Sequence, residues 1–148
     1  MVEVKAQAVI EAPPEVIWTT LTDYERLPEF IPGLKSSKVI ERKGAVATVK
    51  QSGVAAFLFF KIPIDVTVES KEAWPILEVK RVSGTVRQLQ GRYEMIITPD
   101  SPTVRLIWTG VIEPENSLPP FIGESLIRHS IQEQFTGMVR EIERRAKQ

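Results

Sequence analysis

The side chains that most often carry catalysis are scarce in this chain of 148 residues. It contains no cysteine, which excludes a thiolate nucleophile and every metal site built on cysteine. Its one histidine, His129, falls away from the apolar side of a predicted helix, so we expect it at the surface. One histidine cannot build a histidine-rich metal site, and the eight glycines are scattered singly rather than grouped in a phosphate-binding loop. We therefore predict no catalytic residue, no metal site and no cofactor.

A charged pair stands on the expected inner side of the same helix. Glu124 and Arg128 are four residues apart, and both fall within the angular range of its apolar stripe. In one interpretation this part of the helix overhangs a cavity, and Arg128 meets the polar end of a ligand. In the other, the two residues form a solvated ion pair where the sheet ends.

Arg81 raises the same question on a predicted strand. Leu77 and Val79 set the inward phase of that strand, and Arg81 continues it. A cation on the inner face of a sheet could bind a carboxylate or a phenolic oxygen. The alternative is a strand that changes its environment at its end, because Ser83 and Gly84 follow at once.

Aromatic side chains could line a pocket, although aromatic residues at strand or helix spacing commonly form the core. Those in question are Phe57, Phe59, Phe60, Tyr93, Trp108 and Phe135. Tyr93 shares its phase with Met95 and Ile97, so we expect it to point inward, where its hydroxyl needs a hydrogen-bond partner. Small residues such as Gly91 leave room either for a cavity or for strong curvature of the sheet.

The segment from Gly53 to Phe60 is apolar in both strand phases. If it forms the tip of a hairpin, it exposes a hydrophobic patch that contacts a membrane or gates a cavity. If it is a buried strand, it needs no function. We take Phe57–Phe60 as the candidate for transient membrane contact.

The order of secondary structure elements decides how these residues are placed. Alternating apolar residues predict a strand over Val2–Ile10, and Pro14 opens a helix that ends at Leu21. A second short helix follows, with Thr22 and Glu25 in a capping-box pattern. Six strands and a long C-terminal helix are then predicted at residues 38–42, 45–52, 57–69, 76–82, 86–98, 103–113 and 121–146. Strands joined by short turns pair antiparallel, and the amphipathic helix must bury its stripe against their sheet.

Composition places the chain among ordinary globular proteins. Apolar residues make up 43% and charged residues 26%, and the formal net charge is zero. A neutral chain has no general attraction for nucleic acid, so we expect no nucleic-acid partner. No apolar run reaches the roughly 20 residues of a membrane span, and the N-terminus lacks the pattern of a secretory signal. We predict one domain over residues 1–148 and a cytoplasmic location.

Three stretches carry a resemblance to a known superfamily. They are Ile10–Trp18, Leu21–Tyr24 and Leu27–Gly33, and Leu126–Arg128 in the closing helix also fits. Together with the element order they resemble the START-like (SRPBCC) superfamily, and within it the polyketide cyclase/dehydrase branch, which includes coenzyme Q-binding START-like proteins and ribosome-associating toxins. The resemblance implies an α+β helix-grip fold, in which a curved antiparallel sheet of about seven strands wraps around a long C-terminal helix and two short helices follow the first strand.

The resemblance also implies a deep apolar cavity between sheet and helix, in which family members hold lipids, sterols, quinones, plant hormones or polyketide intermediates. We therefore predict that the chain binds and carries or presents a hydrophobic small molecule, such as a lipid, an isoprenoid quinone or an aromatic metabolite. The candidate cavity residues are Phe60, Arg81, Tyr93, Met95, Trp108, Glu124, Arg128, Ile131 and Phe135. Apolar burial would supply most of the affinity, and the polar members would orient the ligand.

Two other functions stay open on the sequence alone. A polyketide aromatase/cyclase or dehydratase would hold a flexible substrate in a folded shape, and Tyr93 with Arg81 or Glu124 would move protons. A surface interaction module, similar to the ribosome-associating toxins, would act through its exterior. The sequence leaves the oligomeric state open.

Overall fold

The computed structural model describes residues 1–57, 59–114 and 119–148, without the side chains of Phe60 and Pro120. The described strands are β1 (Val2–Ile10), β2 (Leu34–Lys43), β3 (Val46–Phe57), β4 (Phe60–Ala73), β5 (Ile76–Gly84), β6 (Gln88–Ile97) and β7 (Val104–Glu113). The described helices are α1 (Pro14–Leu21), a 3₁₀ helix (Tyr24–Glu29) and α2 (Pro120–Ala146). None of these helices is both long enough and apolar enough to cross a membrane.

The seven described strands form one antiparallel sheet in the order β1-β7-β6-β5-β4-β3-β2. From β2 to β7 each strand pairs with the next along the chain, and β1 pairs with β7. The long helix α2 contacts both β1 and β3, which lie toward opposite edges, so the sheet curves around the helix. The predicted helix-grip fold is confirmed, because the apolar stripe of α2 is buried against the concave face.

Alternation of apolar and polar residues explains which face of each strand is buried. In β1, Val2, Val4 and Ile10 are buried, whereas Glu3 and Lys5 are exposed. The same period of two continues in β7, the neighbour of β1, and its inward residues meet the helix in the core.

The strand predicted over residues 57–69 is interrupted in the structure. The apolar run expected as one strand over residues 57–69 contains the turn between β3 and β4, where Phe59 is 99% exposed. Pro63 lies on β4 outside the part that pairs with β5, because that pairing begins at Val66. The missing N–H of this proline therefore removes no hydrogen bond to β5.

The second short helix is a 3₁₀ helix rather than an α-helix. Pro28 lies inside it and removes one N–H from the hydrogen-bond pattern. The predicted capping box is wrong, because no described side chain caps this helix. Glu25 instead accepts a hydrogen bond from the backbone N–H of Val39 (3.1 Å), which ties the 3₁₀ helix to β2.

The C-terminal part of α2 is fixed by a half-buried charge network. Glu141 accepts hydrogen bonds from Arg144 (2.7 Å) and from Arg145 (2.8 Å). Arg145 also donates to Asp23 (2.8 Å), and its guanidinium carbon lies 5.4 Å from the centre of the Phe30 ring. These contacts join the end of α2 to the residues that flank the 3₁₀ helix.

Gly137 brings α2 close to the segment that follows the 3₁₀ helix. A Cβ at this position would lie 2.6 Å from the Phe30 carbonyl oxygen and 2.6 Å from Pro32 Cδ. A larger residue here would push the helix away from that segment, so the close approach requires glycine.

Glu141→Gln should lower the free energy of unfolding near neutral pH by about 1–3 kcal/mol, because it weakens a buried ion-pair network. Hydrogen bonds from Arg144 and Arg145 lower the pKa of Glu141 to about 2, from an ordinary value of 4.5. The stabilisation from this depressed pKa is present above the unfolded-state value and is lost as the pH falls toward 2. Chemical denaturation near neutral pH and near about pH 3 should show the two proteins converging in stability at the lower pH.

Glu143→Gln is the matched control, since Glu143 is exposed on the same part of α2. Its stability should equal that of the wild type at both pH values. If the difference in unfolding free energy between wild type and Glu141→Gln stays constant with pH, the stabilisation does not come from the depressed pKa of Glu141.

Candidate functional site

A cavity of about 460 Å³ lies between the concave face of the sheet and α2. Strands β2 to β7 contribute to its floor and walls, and α2 covers it from Gly123 to Met138. The 3₁₀ helix contributes Tyr24 and Leu27 to one side. The volume falls within the roughly 300–1,000 Å³ that is typical of small-molecule sites.

Every described side chain that lines this cavity is uncharged. Most are aliphatic or aromatic, and the residues with hydroxyl or amide groups are Tyr24, Gln51, Ser52, Ser70, Thr85, Tyr93, Ser130 and Gln134. Some of these groups already have partners within the protein. Gln51, for example, donates to Ser37 Oγ (3.2 Å). The cavity is therefore apolar with a few neutral hydrogen-bonding groups, as small-molecule sites commonly are.

An aromatic cluster forms part of the cavity floor. The ring centroids of Tyr93 and Trp108 are 5.0 Å apart, and Phe135 of α2 stacks on Tyr93 at a centroid distance of 6.5 Å. Tyr93 and Trp108 are direct partners in the register of β6 and β7, so their side chains project from the same face of the sheet. Phe135 reaches them from the helix, and the cluster thus bridges the two layers.

Two glycines make room for the indole of Trp108. Gly91 and Gly110 are paired across β6 and β7. A Cβ on Gly91 would lie 2.7 Å from Trp108 Cζ2 and 2.9 Å from the Thr109 carbonyl oxygen. A Cβ on Gly110 would lie 2.8 Å from the same Cζ2 atom. The indole therefore lies against bare backbone, and a larger residue at either glycine would displace it.

The cluster contains two polar groups, the Tyr93 hydroxyl and the Trp108 indole N–H. Trp108 is 7% exposed, and its Nε1 is buried and has no partner among the described residues. Burial raises the pKa of the Tyr93 hydroxyl well above the usual range. The hydroxyl stays protonated near neutral pH and can donate, and the indole N–H can only donate.

The other tyrosine of the cavity is already engaged. The Tyr24 hydroxyl donates to Glu72 (2.7 Å), and Arg42 donates to the same carboxylate oxygen (2.9 Å). Burial and the hydrogen bond to Glu72 raise the pKa of Tyr24 above its usual range. This hydroxyl therefore already has its partner within the protein.

The structure brings four of the predicted site residues together. The four that line the cavity are Tyr93, Trp108, Ile131 and Phe135. Met95 points inward as expected, but it is buried in the core at 2% exposure and does not line the cavity. Phe60 begins β4 opposite Phe57, and its side chain lies outside the described residues.

Glu124 and Arg128 lie away from the cavity. Both are exposed and pair with each other at 3.0 Å, as in the interpretation of a solvated ion pair. The expected inward position of the two residues is wrong, because the buried stripe of α2 passes through Gly123 and Ile127, one residue earlier in each case.

Arg81 keeps the inward phase of β5 but turns toward the end of the strand. It is half-buried, and its Nη2 donates to the Gly84 carbonyl oxygen (3.0 Å). It does not line the cavity, and its Nε has no partner among the described residues. This position of Arg81 agrees with the second interpretation of the sequence, in which the environment of the strand changes at its end.

The β3–β4 hairpin borders the cavity. The paired residues Ala55 and Ile62 line the cavity close to the turn, and Phe59 projects from the turn into solvent. Phe57 contacts the ring of His129 at a centroid distance of 5.6 Å, which ties the hairpin to α2. His129 itself is exposed, as predicted.

The candidate residues chosen from the sequence leave out the part of the wall that comes from the first third of the chain. Leu21, Tyr24, Leu27 and Ile31 line the cavity from α1, the 3₁₀ helix and the loop after it. These residues belong to the stretches Leu21–Tyr24 and Leu27–Gly33, on which the family resemblance rests. That overlap is the signal by which they could have been found.

Comparison with known families agrees with this arrangement. The family model described as polyketide cyclase/dehydrase and lipid transport matches residues 10–138, which is most of the chain. The chain belongs to this family. No curated protein sequence matches it.

Solved structures show the same fold at low sequence identity. A protein of Thermus thermophilus is 18% identical with a TM-score of 0.80, over 95% of this chain and 96% of its own. The Zhui aromatase/cyclase of a Streptomyces species is 13% identical with a TM-score of 0.79, over 98% and 93%. A START superfamily protein from Mycobacterium smegmatis is 14% identical with a TM-score of 0.71, over 98% and 97%. At these identities the similarity establishes the START-like fold.

Gly91→Ala should destabilise the protein by about 1–3 kcal/mol, because the added methyl group overlaps the indole of Trp108 and the Thr109 carbonyl. The displaced indole should also change the near-ultraviolet circular dichroism of the folded protein. Denaturation curves together with that spectrum measure the two effects.

Gly123→Ala is the control, because among the described residues its added Cβ would meet only Pro114 Cγ at 3.6 Å, an ordinary contact. Alanine is also preferred over glycine inside a helix by roughly 0.5–1 kcal/mol, so this variant should be as stable as the wild type or more so. Equal stability of the two alanine variants would contradict the proposed role of Gly91.

Proposed function

We propose that this protein binds and carries, or presents, a neutral hydrophobic small molecule in the cavity between its sheet and α2. The observation that carries the proposal is a cavity of about 460 Å³ whose described lining consists of uncharged side chains. Open space inside a protein forfeits packing contacts, so a fold that retains this much space gains stability when a ligand fills it. Membership of a family described by polyketide cyclisation and lipid transport supports the same function.

The lining favours a neutral ligand over a charged one. A carboxylate or phosphate placed among uncharged side chains costs several kcal/mol unless a cation meets it. The two cations considered from the sequence, Arg81 and Arg128, do not line the cavity. The volume favours a compact ring system, such as an aromatic metabolite or a quinone head group. A long isoprenoid or acyl chain would have to extend beyond the cavity.

Catalysis is the second candidate, favoured by the family description and by the likeness to an aromatase/cyclase. An enzyme of this kind could act by holding a flexible substrate in a folded shape. General acid–base catalysis has less support. The titratable side chains among the described lining residues are Tyr24 and Tyr93, and burial raises the pKa of both above their usual range. Binding without turnover is therefore the function that the geometry favours.

We also propose that the ligand enters past the β3–β4 hairpin, and that the tip of this hairpin touches a membrane in passing. Phe59 at the turn is 99% exposed, and Phe121 in the first turn of α2 is 70% exposed. The lining residues Ala55 and Ile62 connect this hairpin to the cavity. Burying exposed aromatic rings in a bilayer surface is favourable, so these two side chains suit brief contact with a membrane that holds the ligand.

Ile131→Trp should reduce ligand uptake by at least about tenfold, because Ile131 lines the cavity from α2 and the larger ring would fill the space. Native mass spectrometry of freshly purified protein should first reveal an apolar molecule of defined mass that copurifies with the wild type. Uptake from a panel of quinones, neutral lipids and aromatic polyketides then compares the variants.

Ile96→Trp makes the same change on the outer face of β6, where Ile96 is 42% exposed, and should bind as the wild type does. Wild-type protein that carries nothing and takes up nothing from the panel would overturn the proposal. Equal uptake by Ile131→Trp and wild type would place the bound molecule outside this cavity.

Phe59→Asp should slow the transfer of ligand from liposomes severalfold while leaving the affinity for ligand supplied in solution unchanged, because a carboxylate does not enter the bilayer surface. Ile40→Asp is the control, since Ile40 is also exposed (57%) but lies on β2, away from the hairpin turn. Transfer rates that are the same for both variants and the wild type would remove membrane contact from the proposal.

A further inference from the structure

We propose that two copies of this chain associate through the convex face of the sheet, in a two-fold symmetric dimer in which Arg105 of each copy pairs with Glu94 of the other. This face lies on the other side of the sheet from the cavity, so the dimer does not depend on the proposed function. The surface involved, called the outer patch, spans the neighbouring strands β5, β6, β7 and β1. It consists of Val9, Ile76, Glu94, Ile96, Arg105 and Ile107.

The register of the sheet fixes the direction in which these side chains point. Tyr93 and Trp108 are paired across β6 and β7, and both line the cavity, so they project from the concave face. Successive residues of a strand project to opposite faces. The next pair, Glu94 with Ile107, therefore lies on the convex face, which α2 does not cover. Every second pair along these two strands lies there as well.

Two neighbouring rows of the convex face each hold one charged residue with an aliphatic residue on either side. These rows, read across neighbouring strands, contain Ile76, Glu94 and Ile107 in the first and Ile96, Arg105 and Val9 in the second. Ile96 is 42% exposed and Val9 is 61% exposed. The adjacent row along the same strands contains Glu78, Arg92, Thr109 and Lys5. Aliphatic residues are thus concentrated at this end of the face, as in surfaces that contact a partner.

The two charged residues of the outer patch are weakly engaged within the chain. Glu94 Oε1 lies 3.4 Å from Arg92 Nη2, a long contact at the surface that contributes little to stability. Arg105 is exposed and forms no ion pair with a described residue. A carboxylate and a guanidinium can therefore meet a partner, and the apolar surface beside each of them gains free energy when it is covered.

The four central residues of the outer patch form a self-complementary arrangement. Glu94 and Arg105 occupy one diagonal of a cell about 5 Å by 7 Å, set by the spacing of strands and of alternate residues along a strand. Ile96 and Ile107 occupy the other diagonal. A two-fold axis between two such faces, close to the isoleucine diagonal, places Arg105 of each copy on Glu94 of the other. The same axis packs the isoleucines of the two copies together. One patch thus supplies both halves of the interface, and a second copy is the partner that satisfies it.

The curvature of the sheet limits the size of this interface. Two convex faces touch over a small area, and interfaces that bury less than about 1,200 Å² are typical of weak association. We therefore expect a dimer that forms at high protein concentration and dissociates on dilution. The outer patch lies at the end of the sheet opposite to the β3–β4 turn, so the dimer should leave ligand uptake unchanged.

Charge reversal tests the reciprocal contact. Arg105→Glu sets two carboxylates against each other at both symmetric contacts, and Glu94→Arg does the same with two guanidinium groups. Sedimentation equilibrium over a range of concentrations should show a monomer–dimer equilibrium for the wild type. The dissociation constant of the dimer should rise by at least about tenfold in each variant, because facing like charges repel. An equimolar mixture of the two variants should form a heterodimer, since both contacts then join a carboxylate to a guanidinium.

Lys50→Glu is the matched control, because it makes the same change of charge on the convex face of β3, outside the outer patch. This variant should dimerise as the wild type does. A wild type that stays monomeric at millimolar concentration would overturn the inference. A dimer that both reversals leave intact, or a mixture of the two variants that stays monomeric, would overturn it as well.

A measurement on the wild type alone needs no variant to fold. In ¹H–¹³C methyl spectra the signals of Ile96 and Ile107 should shift as the protein concentration rises, because these side chains lie closest to the symmetry axis. The methyl signal of Ile142, which is fully buried in the core, should stay in place. A dimer whose formation leaves the signals of Ile96 and Ile107 unchanged would place the interface elsewhere and contradict the proposal.

Discussion

The cavity depends on how α2 is held at its C-terminal part. There the helix touches the segment after the 3₁₀ helix at Gly137, and Arg145, which pairs with Glu141 on the same helix, links it to Asp23. Interiors are ordinarily close-packed, so a helix pressed against the sheet along its whole length would leave no room for a ligand. The contacts at one end fix the height at which the rest of α2 passes over the sheet. Ile131 and its neighbours then face open space instead of a filled core.

Charged side chains are kept out of the described cavity lining by the same arrangement. The charge network of Glu141 secures the end of α2, and Arg128 pairs with Glu124 on the outer side of the helix. Arg42 donates a hydrogen bond to the Glu72 carboxylate, which also accepts one from the Tyr24 hydroxyl. A cavity bounded in this way penalises charged ligands through desolvation. Discrimination among neutral ones is left to shape and to the few hydrogen-bonding groups in the wall.

The sequence predicted the sheet, the long helix and four cavity residues, because strand and helix periodicity report directly which side chains face inward. It misplaced Glu124 and Arg128, because an angular window on a helical wheel is wider than the stripe that Ile127 occupies in the structure. It could not locate the turn at Phe59, since a segment that is apolar in both phases has no periodicity to interrupt. The presence of a cavity also cannot be predicted from the periodicity of apolar residues. A filled core and an open cavity require the same inward apolar residues, and they differ only in the distance between layers.

The glycine pair under Trp108 shows how local sequence shapes the cavity wall. Glycines inside neighbouring strands weaken a sheet, so a cross-strand pair such as Gly91 and Gly110 has to be offset by what it permits. It permits a large aromatic ring to lie low on the sheet, which leaves the space above that ring open. It also fixes the plane of an indole whose N–H has no partner among the described residues. The shape of this part of the cavity wall therefore depends on two residues that have no side chain.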